Sequence, residues 1–231
     1  MVLSIVIPVF NEGQTIRDVV FQVKNADTDS FEKQIIIVDD GSTDNTPYIL
    51  QEIQKNCSEI VILRHTHNRG KAAALKTGFQ AATGDIIIIQ DADLEYDPSD
   101  YNKLIEPVVK DEADIVFGSR FHSGKPDGMP FFRYICNRFL TGLCNILYGT
   151  KISDMETGYK VFSKKVLNQM NIVSDGFEFE PEFTILAAKH KFRITQVGIS
   201  YYPRPYAQGK KIKFKDGLLA ILTIFKMKFR R

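Results

Sequence analysis

Four isoleucines, Ile86 to Ile89, run through Gln90 into Asp91-Ala92-Asp93. A β-branched run this short reads as a buried parallel strand. It delivers two carboxylates at its carboxyl end, where open α/β sheets hold their ligands. Carboxylates this close repel each other unless something positive lies between them. Mg2+ or Mn2+ suits that place, because both prefer hard oxygen ligands and accept phosphate as a co-ligand. A metal–nucleotide site is one reading of the stretch. Two Asp residues capping a turn is the other.

The surrounding elements decide between them. Hydrophobic patterning predicts strands over Leu3 to Pro8, Gln34 to Val38, Ile60 to Leu63 and Ile115 to Phe117 as well. Helices are predicted through Ile16 and Val23, from a Thr46-Pro47 cap to Ile53, over Ala72 to Ala82 with Gly84 ending it, and from Asp97-Pro98 to about Val109. Strands alternating with helices imply an α/β fold with a mostly parallel sheet and right-handed crossovers. Asn11-Glu12, Asp39-Asp40 and Asp91-Ala92-Asp93 then follow the first, second and fourth strands onto one edge. Random capping would scatter acids over both edges, so the shared edge favours one site.

Beyond Gly118 the pattern changes. Ser119 to Pro130 reads as a mobile loop, Phe131 to Tyr148 as an amphipathic helix, and Asp154-Met155-Glu156-Thr157-Gly158 as a turn before a strand over Tyr159 to Phe162. A helix over Pro181 to Lys189, strands over Arg193 to Val197 and Ile199 to Tyr202, and a helix from Phe214 to Phe229 follow. No repeat or linker interrupts the chain. The expectation is a single domain, 1–231, with residues 119–231 packed on residues 1–118.

Composition excludes several classes. A formal net charge of +2 over 231 residues gives no general pull on nucleic acid, and no nucleic-acid module signature is present. Cys57, Cys136 and Cys144 form no Cys-x-x-Cys pair and no zinc spacing, which fits buried filler in a reducing compartment. The four histidines form no ligand cluster, and His65-Thr66-His67 reads as a solvated loop. Met1 to Phe10 lacks a basic leader and reads as a core strand. No apolar run approaches the ~20 residues of a membrane span. After the first strand there is no G-x-G-x-x-G, and Gly70-Lys71 lacks the rest of a P-loop. What remains is a nucleotide held by acidic side chains and a metal.

Val6-Ile7-Pro8-Val9-Phe10-Asn11-Glu12, Val38-Asp39-Asp40-Gly41-Ser42-Thr43-Asp44, Asn68-Arg69-Gly70-Lys71-Ala72-Ala73-Ala74 and Asp91-Ala92-Asp93-Leu94 occur in this order. They resemble the family 2 inverting glycosyltransferases of GT-A fold, most of all the polyprenyl- and dolichyl-phosphate mannose and glucose synthases. The resemblance covers nearly the whole chain. It implies a Rossmann-like nucleotide-sugar half, 1–118, and an acceptor and membrane-interface half, 119–231, as a C-terminal extension. By the same resemblance Pro8, Phe10, Glu12, Val38 and Asp40 line the nucleoside pocket, and Asp91 and Ala92 border the sugar nucleotide. Asp93 is the main metal ligand, with Glu95 and Asp91 beside it. Arg120 contacts the diphosphate or the incoming phosphate, Arg133 faces the acceptor phosphate, and Arg204 with Lys210 or Lys211 clamps phosphates from a closing loop.

The chemistry follows from the acceptor. A lipid phosphate has a second pKa of ~6 and needs little help from a base, whereas a saccharide hydroxyl needs a carboxylate base. Asp154 and Glu156 are the candidates in that case; otherwise they cap the turn and support the acceptor loop. Gly217 to Phe225 is apolar between clusters of Lys and Arg, too short to span but suited to an interfacial helix. Packing onto the core is the other possibility, for it and for Phe131 to Tyr148. The leading expectation is hexose transfer from a nucleotide sugar, UDP-glucose before GDP-mannose, to polyprenyl phosphate by an enzyme peripheral on the cytoplasmic membrane face. The alternatives are transfer to a saccharide hydroxyl and, more remotely, a basic binding module.

Overall fold

The computed structural model describes residues 1–204 and 214–229. Seven strands make one sheet in the order β3-β2-β1-β4-β6-β5-β7. They are β1 (Val2–Val9), β2 (Glu32–Asp39), β3 (Val61–Arg64), β4 (Ile86–Ile89), β5 (Ile115–Ser119), β6 (Lys160–Ser163) and β7 (Ile194–Gly198). Pairing of β1 with β2 and β4, of β2 with β3, and of β5 with β7 is parallel, as the alternating pattern requires. Only β6 runs against its neighbours β4 and β5.

The isoleucine run is explained by helices on both faces. Ile87 and Ile89 join Val6 and Val38 in a core under α3 (Lys71–Ala81), α5 (Phe131–Tyr148), α7 (Phe179–Lys189) and α8 (Phe214–Phe229). Ile86 and Ile88 join Ile5 and Ile7 in a second core under α1 (Ile16–Asn25), α2 (Thr46–Asn56) and α4 (Tyr101–Val109). A strand with helices on both faces has no polar side, so alternation disappears. A short α6 (Lys164–Leu167) follows β6 directly.

Three local expectations need correction. Thr46 does not cap α2; its hydroxyl accepts the Glu12 N–H at 2.9 Å and ties the β1 exit to the helix start. Gly84 does not terminate α3. It lies against β1, where a Cβ would stand 2.7 Å from the Val2 carbonyl. Ile199 to Tyr202 is no strand but one isolated bridge, Tyr96 to Tyr201. The loop between Arg120 and Pro130 is anchored by two buried side chains, Phe121 and Met129.

Helices α5 and α8 pack together, with the Tyr148 hydroxyl donating to the Ile224 carbonyl and Lys228 Nζ donating to the Leu147 carbonyl at 2.9 Å. Their outward faces leave Phe131, Phe132 and Phe139 of α5 and Leu218, Leu222 and Phe229 of α8 exposed. Among the described residues no helix is long and apolar enough to cross a membrane.

Candidate active site

The parallel pairing of β1, β2 and β4 brings their acidic exits onto one edge, as the strand order implied. After β1 the chain turns at Asn11, which adopts a left-handed φ of 51°. Its side-chain carbonyl accepts the Thr43 N–H at 2.8 Å and its own N–H donates to Ser42 Oγ at 2.9 Å, joining the β1 and β2 exits. Asp40 is buried and accepts the N–H groups of Arg69 (2.9 Å) and Gly70 (2.8 Å). His65 Nδ1 lies 2.7 Å from the same carboxylate, and Nε2 lies 2.9 Å from the Thr77 hydroxyl. Asp40 therefore organises the loop entering α3. That loop needs Gly70, whose φ is +102° and where a Cβ would stand 2.2 Å from the Asp175 carbonyl.

Pro8 and Phe10 are half-buried at the edge, and Ala92 is buried with its carbonyl accepting the Thr15 hydroxyl at 2.6 Å. Val38 departs from expectation. Its side chain is fully buried in the core beneath α3, so it supports the pocket floor and does not line it.

The carboxylates of Asp91, Asp93 and Glu95 part company. Asp91 is held by Lys71 Nζ at 2.8 Å and packs on Gly158, where a Cβ would stand 2.0 Å from Asp91 Oδ2. Burial opposes the charge on Lys71, but Asp91 and Glu180 outweigh it and hold the ammonium above its ordinary pKa. Glu95 accepts the Arg204 N–H at 2.8 Å and the Tyr201 hydroxyl at 3.1 Å. Among the described residues no three His, Cys, Asp or Glu side chains gather as a metal cluster. Of the expected ligands, Asp91 and Glu95 are paired with Lys71 and with Arg204 and Tyr201, whereas Asp93 accepts the Glu95 N–H at 3.1 Å.

Asp93 fits a metal on its own chemistry. Burial, then the negative charges of Asp91 and Glu95, push its pKa up to about 7 against the weaker opposing pull of the Glu95 N–H and Arg204. Arg204 Nη2 lies 3.9 Å from Oδ2. Mg2+ sites of one or two carboxylates completed by substrate phosphates are a known pattern. Asp93 can be that protein ligand. Arg204 spans the same gap, donating from Nη1 and Nη2 to Glu12 at 2.8 and 3.1 Å. Glu12 and Asp93 thus share one guanidinium at the mouth of the nucleotide edge.

On the acceptor side, Arg120 and Asp154 form a sealed pair. Arg120 donates from Nε and Nη2 to Asp154, both at 2.7 Å, and its backbone N–H adds a third bond at 3.1 Å. Asp154 is fully buried, so it is a support for Arg120 and not an accessible base. Nη1 is left as the Arg120 donor for an anion. Arg133 is half-buried in the first turn of α5. Lys210 and Lys211 lie outside the described residues.

Several residues come to the site that motif reading did not place there. Lys71 Nζ also reaches Glu180 Oε1 at 3.1 Å, and fully buried Lys160 bonds the other Glu180 oxygen. Glu180 thus sits between two lysines. His65, expected in a solvated loop, is buried against Asp40. Lys160 carried a usable signal: a lysine flanked by Tyr159 and Val161 on a buried strand must find a buried anion.

Comparison with known proteins agrees with this layout. The family model described as Glycosyl transferase family 2 matches residues 4–170. UDP-N-acetylglucosamine–dolichyl-phosphate N-acetylglucosaminyltransferase of Methanococcus voltae is 29% identical, over 97% of this chain and 96% of the relative. Dolichol-phosphate mannosyltransferase of Pyrococcus furiosus is 28% identical, over 91% of this chain and 59% of the relative. Glucosyl-3-phosphoglycerate synthase of Mycobacterium tuberculosis, solved with Mn2+, UDP and phosphoglyceric acid, superposes with a TM-score of 0.75 at 20% identity, over 99% of this chain and 78% of that one. The fold is GT-A, and with most of the chain under one family model, the protein belongs to glycosyl transferase family 2.

Proposed function

We propose that this glycosyltransferase moves a hexose from a nucleotide sugar, UDP-glucose in the favoured case and GDP-mannose in the other, to a polyprenyl phosphate. It works peripherally on the cytoplasmic membrane face. The observation that carries the reading is the exposed apolar face of α5 and α8, which begins at Phe131 and Phe132 beside Arg133. An amphipathic surface with lysines at its border, Lys226 and Lys228 among them, suits an anionic leaflet. The dolichyl-phosphate relatives support the acceptor, and the UDP-sugar donor in the Methanococcus voltae relative's name supports UDP.

A divalent metal at Asp93 would stabilise charge on the departing diphosphate. Arg204, freed from Glu12, adds donors there. Nη1 of Arg120 and the Arg133 guanidinium orient the acceptor phosphate, which is largely dianionic near neutral pH and attacks without a base. Inversion follows from one in-line displacement.

Transfer of labelled sugar into a solvent-extractable lipid tests the acceptor, and flotation with anionic vesicles tests the surface. Phe132→Ser with Leu222→Ser should lose vesicle binding, and transfer to long-chain acceptor should drop at least about tenfold, with a water-soluble short-chain acceptor spared. Equal flotation of variant and parent would remove the membrane surface from the reading. The second reading, a saccharide hydroxyl acceptor, draws on Glu156, the acidic side chain of the 154–158 turn that is not sealed by Arg120.

A further inference from the structure

Glu156 has no place in the mechanism above, and its surroundings are unusual. It lies between Asp154, which holds Arg120, and Gly158, which packs on Asp91. The short segment carrying it therefore links the acceptor-side arginine to the donor-side carboxylate. Its Oε1 is shut from solvent and has no hydrogen-bond partner among the described residues. A buried carboxyl oxygen without a partner is costly and calls for an explanation.

The cations that bear on Glu156, Lys160 and Arg120, are already matched. Arg120 is bonded to Asp154 through two nitrogens. Lys160 is bonded to Glu180, which also takes Lys71, and Lys71 in turn holds Asp91. Arg120, Lys160 and Lys71 thus face Asp154, Glu180 and Asp91, three positive groups against three negative. An ionised Glu156 would add an uncompensated charge to this set. From α5 the buried Cys144 thiol bears on Glu156; burial pushes it up to about 12, so it stays neutral.

We propose that Glu156 is a specificity-determining residue of the transfer reaction: a neutral carboxyl that donates a hydrogen bond to the acceptor phosphate from its other oxygen, Oε2, and, when ionised, repels it. This rests on the lipid-phosphate reading. Burial, then the charge of Glu180, against the opposing pull of Lys160 and Arg120, push the Glu156 pKa up to about 7, which supports the neutral form at and below that pH. No bond is made or broken at Glu156; its proton stays on the carboxyl while the phosphate oxygen attacks.

The test is the pH dependence of kcat/KM for polyprenyl phosphate from about pH 6 to 9, in the full chain and in Glu156→Gln. The amide keeps a donor and cannot ionise. In the parent, kcat/KM should fall above neutrality by about tenfold per pH unit, mainly through KM. In Glu156→Gln that fall should vanish, so the variant outperforms the parent at the alkaline end. Glu156→Ala, with no donor, should be the poorer enzyme at pH 6. An unchanged alkaline limb in Glu156→Gln overturns the proposal and leaves the lipid-phosphate reading standing. A loss of more than about 100-fold at every pH makes Glu156 a base and overturns it too. Parent enzyme that transfers only to hydroxyl acceptors refutes the lipid-phosphate reading, and the proposal with it.

Discussion

At the donor edge, carboxylates leave three parallel strands and are held by movable or backbone partners. Asp40 takes two loop N–H groups, Asp91 takes Lys71, and Glu12 and Asp93 share Arg204. On the acceptor side the charges are locked into buried pairs, Arg120 with Asp154 and Lys160 with Glu180. The first arrangement leaves one carboxylate, Asp93, with only a distant share of a guanidinium, and so able to take a metal and its phosphates. The second leaves one carboxyl oxygen, Glu156 Oε1, buried without a partner among the described residues. On the proposed reading, a site that must bring two anions together keeps its donor half adjustable and its acceptor half rigid.

The largest effect should come from breaking the rigid half. Arg120→Ala leaves Asp154 buried and unpaired, and such losses cost about 3–5 kcal/mol of stability. Urea unfolding measures it. A double replacement, Arg120→Met with Asp154→Leu, should recover most of that stability without recovering transfer. If the single variant unfolds like the parent, the pair is not the lock described here.

Gly158→Ala sharpens the link between halves. The added Cβ would displace the Asp91 carboxylate from its position beside Lys71. Turnover should fall about tenfold or more, the scale of a small misplacement at a reacting site, with a modest change in midpoint. Unaltered kinetics would show that Asp91 tolerates movement.

A third effect, read on stability alone, concerns the adjustable half. With its folded pKa raised to about 7, Asp93 contributes stability below its unfolded pKa that is lost as pH climbs toward that value. Asp93→Asn should therefore flatten the decline in stability between about pH 4 and 7. Thermal unfolding across that range reads it. A decline as steep in the variant as in the parent would mean that Asp93 is not the strained carboxylate.

Why was one half more legible than the other? The donor edge follows from strand order, since β1, β2 and β4 each end in acids and a parallel sheet has only one carboxyl edge. Even so, Val38 is packed in the core, because a position inside a pocket motif can still point inward. The acceptor side depends on pairings between distant segments, such as Lys160 with Glu180, which no local pattern encodes. Asp154 and Glu156 look alike in sequence as two acids in one turn. Only the approach of Arg120 separates them, sealing one and leaving the other. The amphipathic pattern of Phe131 to Tyr148 matched α5, but its exposed aromatic face became visible only once the core had been filled by its opposite side.

Nucleoside diphosphate release is the most direct measurement. UDP- and GDP-sugars would be supplied with Mn2+ or Mg2+, with and without polyprenyl phosphate, to the parent and to Asp93→Ala. The account predicts release that requires both the metal and the lipid phosphate and falls by at least about 10²–10³ in the variant, the scale of losing one preorganised charge-stabilising group. Release undiminished in Asp93→Ala, or indifferent to added metal, would contradict it.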